Sequence, residues 1–236
     1  MKKHQKRMSA PKSWPVPRKT SHWVTKPRPG PHANDESMSL LAVVRDMMKV
    51  CDNSREARFI IGDRGVLVDG KVVTDYKYPV GLMDVVTAKK TNQSYRMLMD
   101  YKGRLQLVAV EPNEAAWKLA RVDGKTTVRG GKVQLTLHDG RNILLPKDQY
   151  KTGDVLKIDI PSQKIVKAIK LDKGSLAFLI GGSHPGTLQT VEKYEVRRGS
   201  APNLVTFKEG FSTVKENVFV VGDKAPEIKL PEAKAV

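Results

Sequence analysis

The segment Ser54-Arg55-Glu56-Ala57-Arg58-Phe59-Ile60-Ile61 and the next one, Gly65-Val66-Leu67-Val68-Asp69-Gly70-Lys71-Val72-Val73, decide the fold of the first half of the chain. Asp52-Asn53-Ser54 supplies a turn and an N-cap, so the first segment predicts a short helix that ends near Gly62. Asp-Gly between two apolar runs favours a type I′ turn, so the second segment predicts a small hairpin. Residues 81–86 predict a further strand.

Another helix is predicted upstream of this pair. The acidic, cap-forming Asp35-Glu36-Ser37 leads into Leu40, Leu41, Val43 and Val44 at helical spacing, which predicts a helix over about residues 37–50. The expected local structure is therefore helix, tight turn, helix and hairpin.

The two helices carry cations opposite their apolar stripes. Arg45 and Lys49 are four residues apart on the first, and Arg55 and Arg58 are three apart on the second. Each pair is expected to share one helix face, so two cationic faces could border one phosphate-binding groove. Such pairs are more often solvated surface, and that interpretation stays open. Further cations follow at the turns, Arg64 and Lys71.

The rest of the chain is predicted to be rich in β-strands. Alternating runs cover residues 95–99, 105–110, 132–137, 143–145, 155–160 and 165–171, with turns at Lys102-Gly103, Asp123-Gly124 and Asp139-Gly140. Pro112 and the helix formers behind it predict one interrupting helix over 112–120. The central region is expected to form a small barrel, and residues 175–191 with 203–221 a further β unit.

The first 34 residues contain no acidic residue and are interrupted by prolines. This composition predicts an arm that is disordered when free and becomes ordered on RNA, with a flexible solubilising tail as the alternative. Aromatic rings could stack on bases while the cations meet phosphates. The candidate RNA-binding residues of the arm are Lys2, Lys3, His4, Lys6, Arg7, Lys12, Trp14, Arg18, Lys19, His22, Trp23, Lys26, Arg28 and His32.

The charge balance points to a polyanionic partner. Lys and Arg number 42 against 25 Asp and Glu, giving a formal charge of +17, so nucleic acid is the expected partner. The longest apolar runs have strand length, and no membrane partner is expected. Cys51 is the single cysteine and no Cys-x-x-Cys pair occurs, so we expect neither a disulfide nor a bound metal or other cofactor.

The chain is therefore predicted to be a multi-module α+β protein with five parts. They are a basic Pro-rich arm at 1–36, a helix-helix-hairpin motif at 37–92, a β-rich central domain at 93–172, a small β module at 173–222 and a tail at 223–236.

The helix-helix-hairpin segment, with the closing Tyr78-Pro79-Val80-Gly81-Leu82-Met83-Asp84-Val85-Val86, resembles the S4 RNA-binding motif. The resemblance implies that Arg45, Lys49, Arg55, Arg58 and Lys71 face structured RNA. Residues 175–191, with glycines after an apolar strand, look like a KOW motif. Its glycine loop is expected to contact RNA through residues Gly181, Gly182, His184 and Gly186.

The order of these parts, including Ala10-Pro11-Lys12 with Trp14 in the arm and Gly30-Pro31-His32 before the first helix, resembles the archaeal and eukaryotic S4e family of small-subunit ribosomal proteins. The resemblance implies a structural constituent of the cytoplasmic small ribosomal subunit. It also implies binding to folded small-subunit rRNA beside neighbouring ribosomal proteins, without obligate homo-oligomers.

Two other functions are alternatives. An RNA-modifying enzyme could carry an S4-like motif, but the five histidines are scattered and no catalytic elbow, dinucleotide fingerprint or metal spacing is found, so no catalytic residue is expected. A transient transcription or translation factor would share the RNA chemistry without permanent assembly. A structural protein would be a stoichiometric component of the ribosomal particle, and this occupancy distinguishes it from the enzyme and from the transient factor.

Overall fold

The computed structural model describes residues 4–231 and divides into two compact units. The first unit comprises the chain up to Met99 together with Arg104–Lys118, and the second comprises Asp100–Gly103 and the chain from Leu119 onward. The fold is mixed α+β with few helices.

The first unit is built on a five-stranded sheet in the order β5-β4-β7-β8-β9. Its other elements are a two-stranded pairing of β3 with β6, a ribbon of β1 with β2, and three short helices. The strands and helices are β1 Gln5–Lys6, β2 Trp23–Val24, β3 Ser37–Ser39, α1 Leu40–Ala42, α2 Ser54–Gly62, β4 Val66–Val68, β5 Lys71–Val72, β6 Pro79–Gly81, β7 Val85–Ala88, β8 Gln93–Met99, β9 Leu105–Val110 and α3 Pro112–Ala115.

Helix α2 and the following hairpin form as predicted. The Asn53 side chain accepts hydrogen bonds from the Arg55 and Glu56 amides and caps the helix, because these N–H groups have no partner within it. Asp69 and Gly70 both have positive φ, 48° and 70°, as a type I′ turn requires.

The first predicted helix is shorter than expected. Residues Ser37–Ser39 form a buried strand that pairs with Pro79–Gly81, and only α1 and a π-helical turn at Val43–Met47 follow. Lys49 lies beyond this helical segment, with φ 53°. Tertiary pairing with β6 therefore overrides the local helical spacing.

The predicted helix over 112–120 is confined to Pro112–Ala115, and strand β10, Trp117–Thr127, follows it. The Asp123-Gly124 pair is not a turn but lies in this strand, where the register shifts between Val122 and Gly124. The sheet of the first unit also continues through β8 and β9, past the predicted boundary at 92/93.

The second unit contains two five-stranded sheets, ordered β12-β11-β10-β13-β14 and β18-β17-β16-β15-β19. Their remaining strands are β11 Val133–Leu137, β12 Asn142–Leu145, β13 Val155–Asp159, β14 Ile165–Ile169, β15 Leu176–Leu179, β16 Leu188–Glu195, β17 Leu204–Phe207, β18 Ser212–Val214 and β19 Val218–Gly222. Closure of either sheet into a barrel stays a prediction. Alternating residues such as Val133, Leu135 and Leu137 are buried and form the core with Leu156 and Ile158.

The arm is packed on the protein over its described residues, which corrects the expectation that it is disordered when free. Strand β1 pairs with β2, and the amide of Leu105 donates to the Ser13 carbonyl at 2.7 Å. Four apolar arm residues are buried within the first unit: Ala10, Trp14, Val16 and Val24. The arm therefore contributes to a core.

Candidate nucleic-acid interface

A basic cleft of about 460 Å³ lies between the arm and the S4-like segment of the first unit. The β1–β2 ribbon lines one side, and the two helical segments and the loop before β6 line the other. Among its described lining residues five are Lys or Arg and none is Asp or Glu: Arg7, Lys26, Arg45, Arg58 and Lys77. The cleft therefore suits a negatively charged ligand.

Tyr76 lies between two of these cations. The Arg58 guanidinium carbon is 4.6 Å from the ring centroid, and the Lys77 ammonium is 5.6 Å from it. Cation–π attraction holds both groups close to one another without neutralising them. Neither Tyr76 nor Lys77 was predicted as a site residue, because the loop between β5 and β6 has no recognisable local pattern.

Trp23 gives the cleft an accessible aromatic face. Its side chain is 54% exposed, and the rings of His22 and His4 lie 4.5 and 5.7 Å from it, centroid to centroid. An exposed indole beside cations is the arrangement on which a nucleobase stacks.

Arg45 borders the cleft with its charge already balanced. Its Nε and Nη2 donate to the two carboxylate oxygens of Asp46 at 2.7 and 2.8 Å, and its Nη1 donates to Ser54 Oγ at 2.6 Å. The hydrogen bonds from Arg45 to Asp46 raise the pKa of Arg45 despite partial burial. Because Lys49 lies outside the helix, the predicted cationic face of Arg45 and Lys49 is not formed.

Several arm residues predicted to bind RNA instead hold the arm together. Arg7 is buried and donates to the Pro17 carbonyl at 2.5 Å and to Ser21 Oγ at 2.7 Å. Arg18 donates to the carbonyls of Ala10 and Pro11. Trp14 is 2% exposed, so its ring is not accessible to bases. Burial, which sequence composition does not reveal, removes these groups from the surface.

The other predicted cations have varied positions. Arg28 pairs with Asp75 at 3.1 Å beside an open groove of about 930 Å³, lined by residues 26–34 and 75–77. Lys2 and Lys3 lie outside the described residues. The remaining predicted cations of the first unit are exposed away from the cleft lining: Lys6, Lys12, Lys19, Lys49, Arg55, Arg64 and Lys71.

A buried charged network lies in the first unit. Lys118 Nζ contacts Asp69 Oδ2 at 2.7 Å and Asp84 Oδ1 at 2.9 Å, and His32 Nε2 is 2.9 Å from Asp84 Oδ2. The Gly81 amide donates to Asp84 at 3.0 Å. His32 is thus a buried partner of a carboxylate, which corrects its predicted contact with RNA.

The network holds Asp84 ionised. Burial alone would raise the pKa of Asp84, but attraction to His32 and Lys118 and the hydrogen bonds from His32 and Gly81 lower that pKa overall. The network was not predicted, because the sequence predicts a helix over 112–120, where a lysine such as Lys118 is expected on the surface.

The glycine loop after β15 is packed against the second unit itself. A Cβ at Gly181 would lie 2.6 Å from Asn217 Oδ1, and one at Gly186 would lie 2.5 Å from the Asp100 carbonyl. Close contact with its own chain therefore explains these two glycines. Gly182 and His184 are exposed, and the His184 ring lies 4.8 Å from that of Phe211.

Among residues 4–231, no cluster of His, Cys, Asp and Glu could hold a metal ion. Within the same residues, every helix is too short or too polar to cross a bilayer.

Family models match the chain over three segments. A domain described as RS4NT matches residues 1–35, an S4 domain matches 38–86, and a model described as Ribosomal family S4e matches 91–165. The S4 domain match contains α2 and the hairpin, and the arm that forms the other wall of the cleft lies within the RS4NT match.

The chain is similar over nearly its whole length to archaeal proteins named small ribosomal subunit protein eS4. It is 44% identical to that of Methanothermobacter thermautotrophicus over 99% of this chain and 98% of the relative, and 49% identical to that of Archaeoglobus fulgidus over 94% of each. The crystal structure of the 30S ribosomal protein S4e from Thermoplasma acidophilum has a TM-score of 0.72 at 39% identity, covering 80% of this chain and 96% of that one.

Proposed function

Because the chain belongs to ribosomal family S4e and is thus a structural constituent of the small ribosomal subunit, we propose that it holds folded rRNA in the cleft between the arm and the S4 domain. The single observation that carries this proposal is the meeting of Arg58, Lys77 and Trp23 in one cleft whose described lining contains no acid. The cations bind backbone phosphates and the indole stacks on an unpaired base.

The cleft recognises the shape of the RNA more than its sequence. The guanidinium of Arg58 can donate two parallel hydrogen bonds to one phosphate, whereas Lys77 acts as a point charge beside it. Tyr76 fixes the spacing between the two. The neighbouring groove along residues 26–34 continues the surface past Tyr76 and gives the RNA a path along the Pro-rich arm.

Neither alternative function is favoured. The family is one of structural ribosomal proteins rather than enzymes, and family membership favours a stable component of the cytoplasmic ribosome over an exchanging factor. Contacts with neighbouring ribosomal proteins belong to the proposal, as does the absence of an obligate homo-oligomer. Near-stoichiometric recovery of the protein in salt-washed small subunits tests its permanent residence.

The Arg58→Ala/Lys77→Ala variant tests the cleft. We expect its affinity for small-subunit rRNA to fall roughly 10- to 100-fold at moderate salt, and the slope of log affinity against log salt to decrease by about 2, because two phosphate contacts are lost. Filter binding between about 50 and 200 mM salt measures both quantities.

Lys89→Ala/Lys90→Ala is the matched control, since both lysines are exposed in the same unit, outside the cleft lining, and the charge loss is equal. Equal losses of affinity in the two variants would mean that net charge, rather than the cleft, governs binding, and the proposal would fail.

A further inference from the structure

We propose that the tip of the β10–β11 hairpin, residues 128–132, is a second RNA-binding site that contacts rRNA phosphates from the second unit. This inference rests on the proposed function only in taking rRNA as the partner. The tip contains none of the RNA-binding residues predicted from the sequence and none of the residues that line the arm cleft.

All charged side chains in the distal part of this hairpin are cations. Residues 124–137 contain Lys125, Arg129 and Lys132 and no Asp or Glu. Lys125 is paired with Asp148 at 2.7 Å. Arg129 and Lys132 are exposed, and no acid within residues 4–231 forms an ion pair with either. Two unneutralised cations thus flank the turn.

The glycines at the turn leave its backbone open. Gly130 and Gly131 have φ of 85° and 69°, and a Cβ on either would meet no atom of the described chain within 4 Å. The turn conformation, rather than packing, therefore requires these glycines. Successive N–H groups in such a turn can face an anion that approaches between the two cations. Gly181 and Gly186 differ, because their own chain fills the corresponding space.

The tip is held in place before any ligand arrives. The Val128 amide donates to the Lys132 carbonyl at 2.9 Å and closes the turn. Val133, next to Lys132, is buried in the core with Leu135. A binding loop fixed by its own core loses little conformational entropy when a ligand docks.

The chemistry of the tip favours RNA over a protein partner. Protein interfaces concentrate binding energy in aromatic anchors, and residues 124–137 contain no Phe, Trp or Tyr. They do contain exposed Thr126 and Thr127, whose hydroxyls suit phosphate and 2′-hydroxyl groups. The shape and charge of the tip match an RNA backbone.

The first experiment measures rRNA affinity of the full-length Arg129→Ala/Lys132→Ala variant. We expect about a tenfold loss and a decrease of about 2 in the salt slope. The control is Arg197→Ala/Arg198→Ala, which removes two exposed cations from another loop of the same unit. Its affinity should change less than threefold. An unchanged hairpin variant, or equal losses in the two variants, would overturn the inference.

This result is independent of the arm cleft. If the hairpin variant binds rRNA like the wild type while Arg58→Ala/Lys77→Ala loses affinity, the second site is refuted and the proposed function stands. If the wild-type protein itself shows no salt-dependent affinity for rRNA, both fail.

The second experiment identifies what the tip touches. Cys51 is the single cysteine and is buried, so Lys132→Cys adds one reactive position for a tethered hydroxyl-radical probe. In reconstituted small subunits we expect rRNA cleavage at a few discrete nucleotides, at least tenfold above that from an Arg198→Cys control at the same nucleotides. Cleavage confined to a neighbouring protein would mean a protein partner and would overturn the inference, as would the absence of rRNA cleavage.

Discussion

Asp84→Asn is expected to lower the free energy of unfolding by about 3–5 kcal/mol at pH 7, because it removes the buried carboxylate that contacts both Lys118 and His32. Asp84 links Lys118 and His32, and all three side chains are at most 3% exposed. With asparagine at this position, Asp69 alone of the two carboxylates still balances Lys118. Urea denaturation of the full chain, followed by circular dichroism, measures the change.

The matched control is Asp63→Asn, which removes a carboxylate from the exposed Lys90–Asp63 pair of the same unit. Exposed ion pairs with such separations contribute little to stability, so we expect the free energy of unfolding to change by less than about 1 kcal/mol. A loss of similar size in both variants, or a loss below about 1 kcal/mol in Asp84→Asn, would contradict the assigned role of the network.

The pH dependence of the unfolding free energy tests the same role of Asp84 independently. The pKa of Asp84 is lower in the folded protein than in the unfolded chain, so its contribution to stability is present above the ordinary aspartate pKa of about 3.9 and is lost as the pH falls below it. The difference in unfolding free energy between wild type and Asp84→Asn should therefore shrink between about pH 5 and pH 3. A difference that grows as the pH falls would mean that the pKa of Asp84 is raised, not lowered.

Local signals in the sequence predicted local structure well. The Asn53 cap, helix α2 and the Asp69-Gly70 turn follow from hydrogen bonding and backbone preference within a few residues, and strand β9 has the predicted bounds at Leu105–Val110. The family resemblance, which rested on the order of motifs along the chain, was confirmed by the matches to S4e proteins.

Features that depend on distant partners could not be predicted in this way. Ser37–Ser39 becomes a strand because Pro79–Gly81 lies beside it, and Lys118 is buried because two aspartates from other loops meet it. The cleft likewise joins Trp23 with Tyr76, which are far apart in the sequence. The sequence does not show which cations of the arm form hydrogen bonds within the protein and which stay exposed.

The two tryptophans of the arm show this limit most clearly and are predicted to differ in effect. Both are candidate RNA-binding residues by sequence, which leaves open whether each ring stacks on a base or packs on the protein, and Trp14 is 2% exposed whereas Trp23 is 54% exposed. Trp14→Ala should lower the free energy of unfolding by about 3–5 kcal/mol, because it opens a large cavity under the arm. Trp23→Ala removes a mostly solvated ring and should change stability by less than about 0.5 kcal/mol.

The effects on rRNA affinity are expected to be the reverse, large for Trp23→Ala and small for Trp14→Ala. Trp23→Ala should weaken binding by about 1–3 kcal/mol, the contribution of one base stacked on an aromatic ring, while the salt slope stays unchanged because no cation is lost. Trp14→Ala removes no RNA contact, so under conditions where its arm remains folded it should bind with wild-type affinity. Urea denaturation and filter binding on the same two variants measure both effects. If Trp23→Ala left the affinity unchanged, the cleft would bind phosphate alone, because its one exposed indole would have no base to hold.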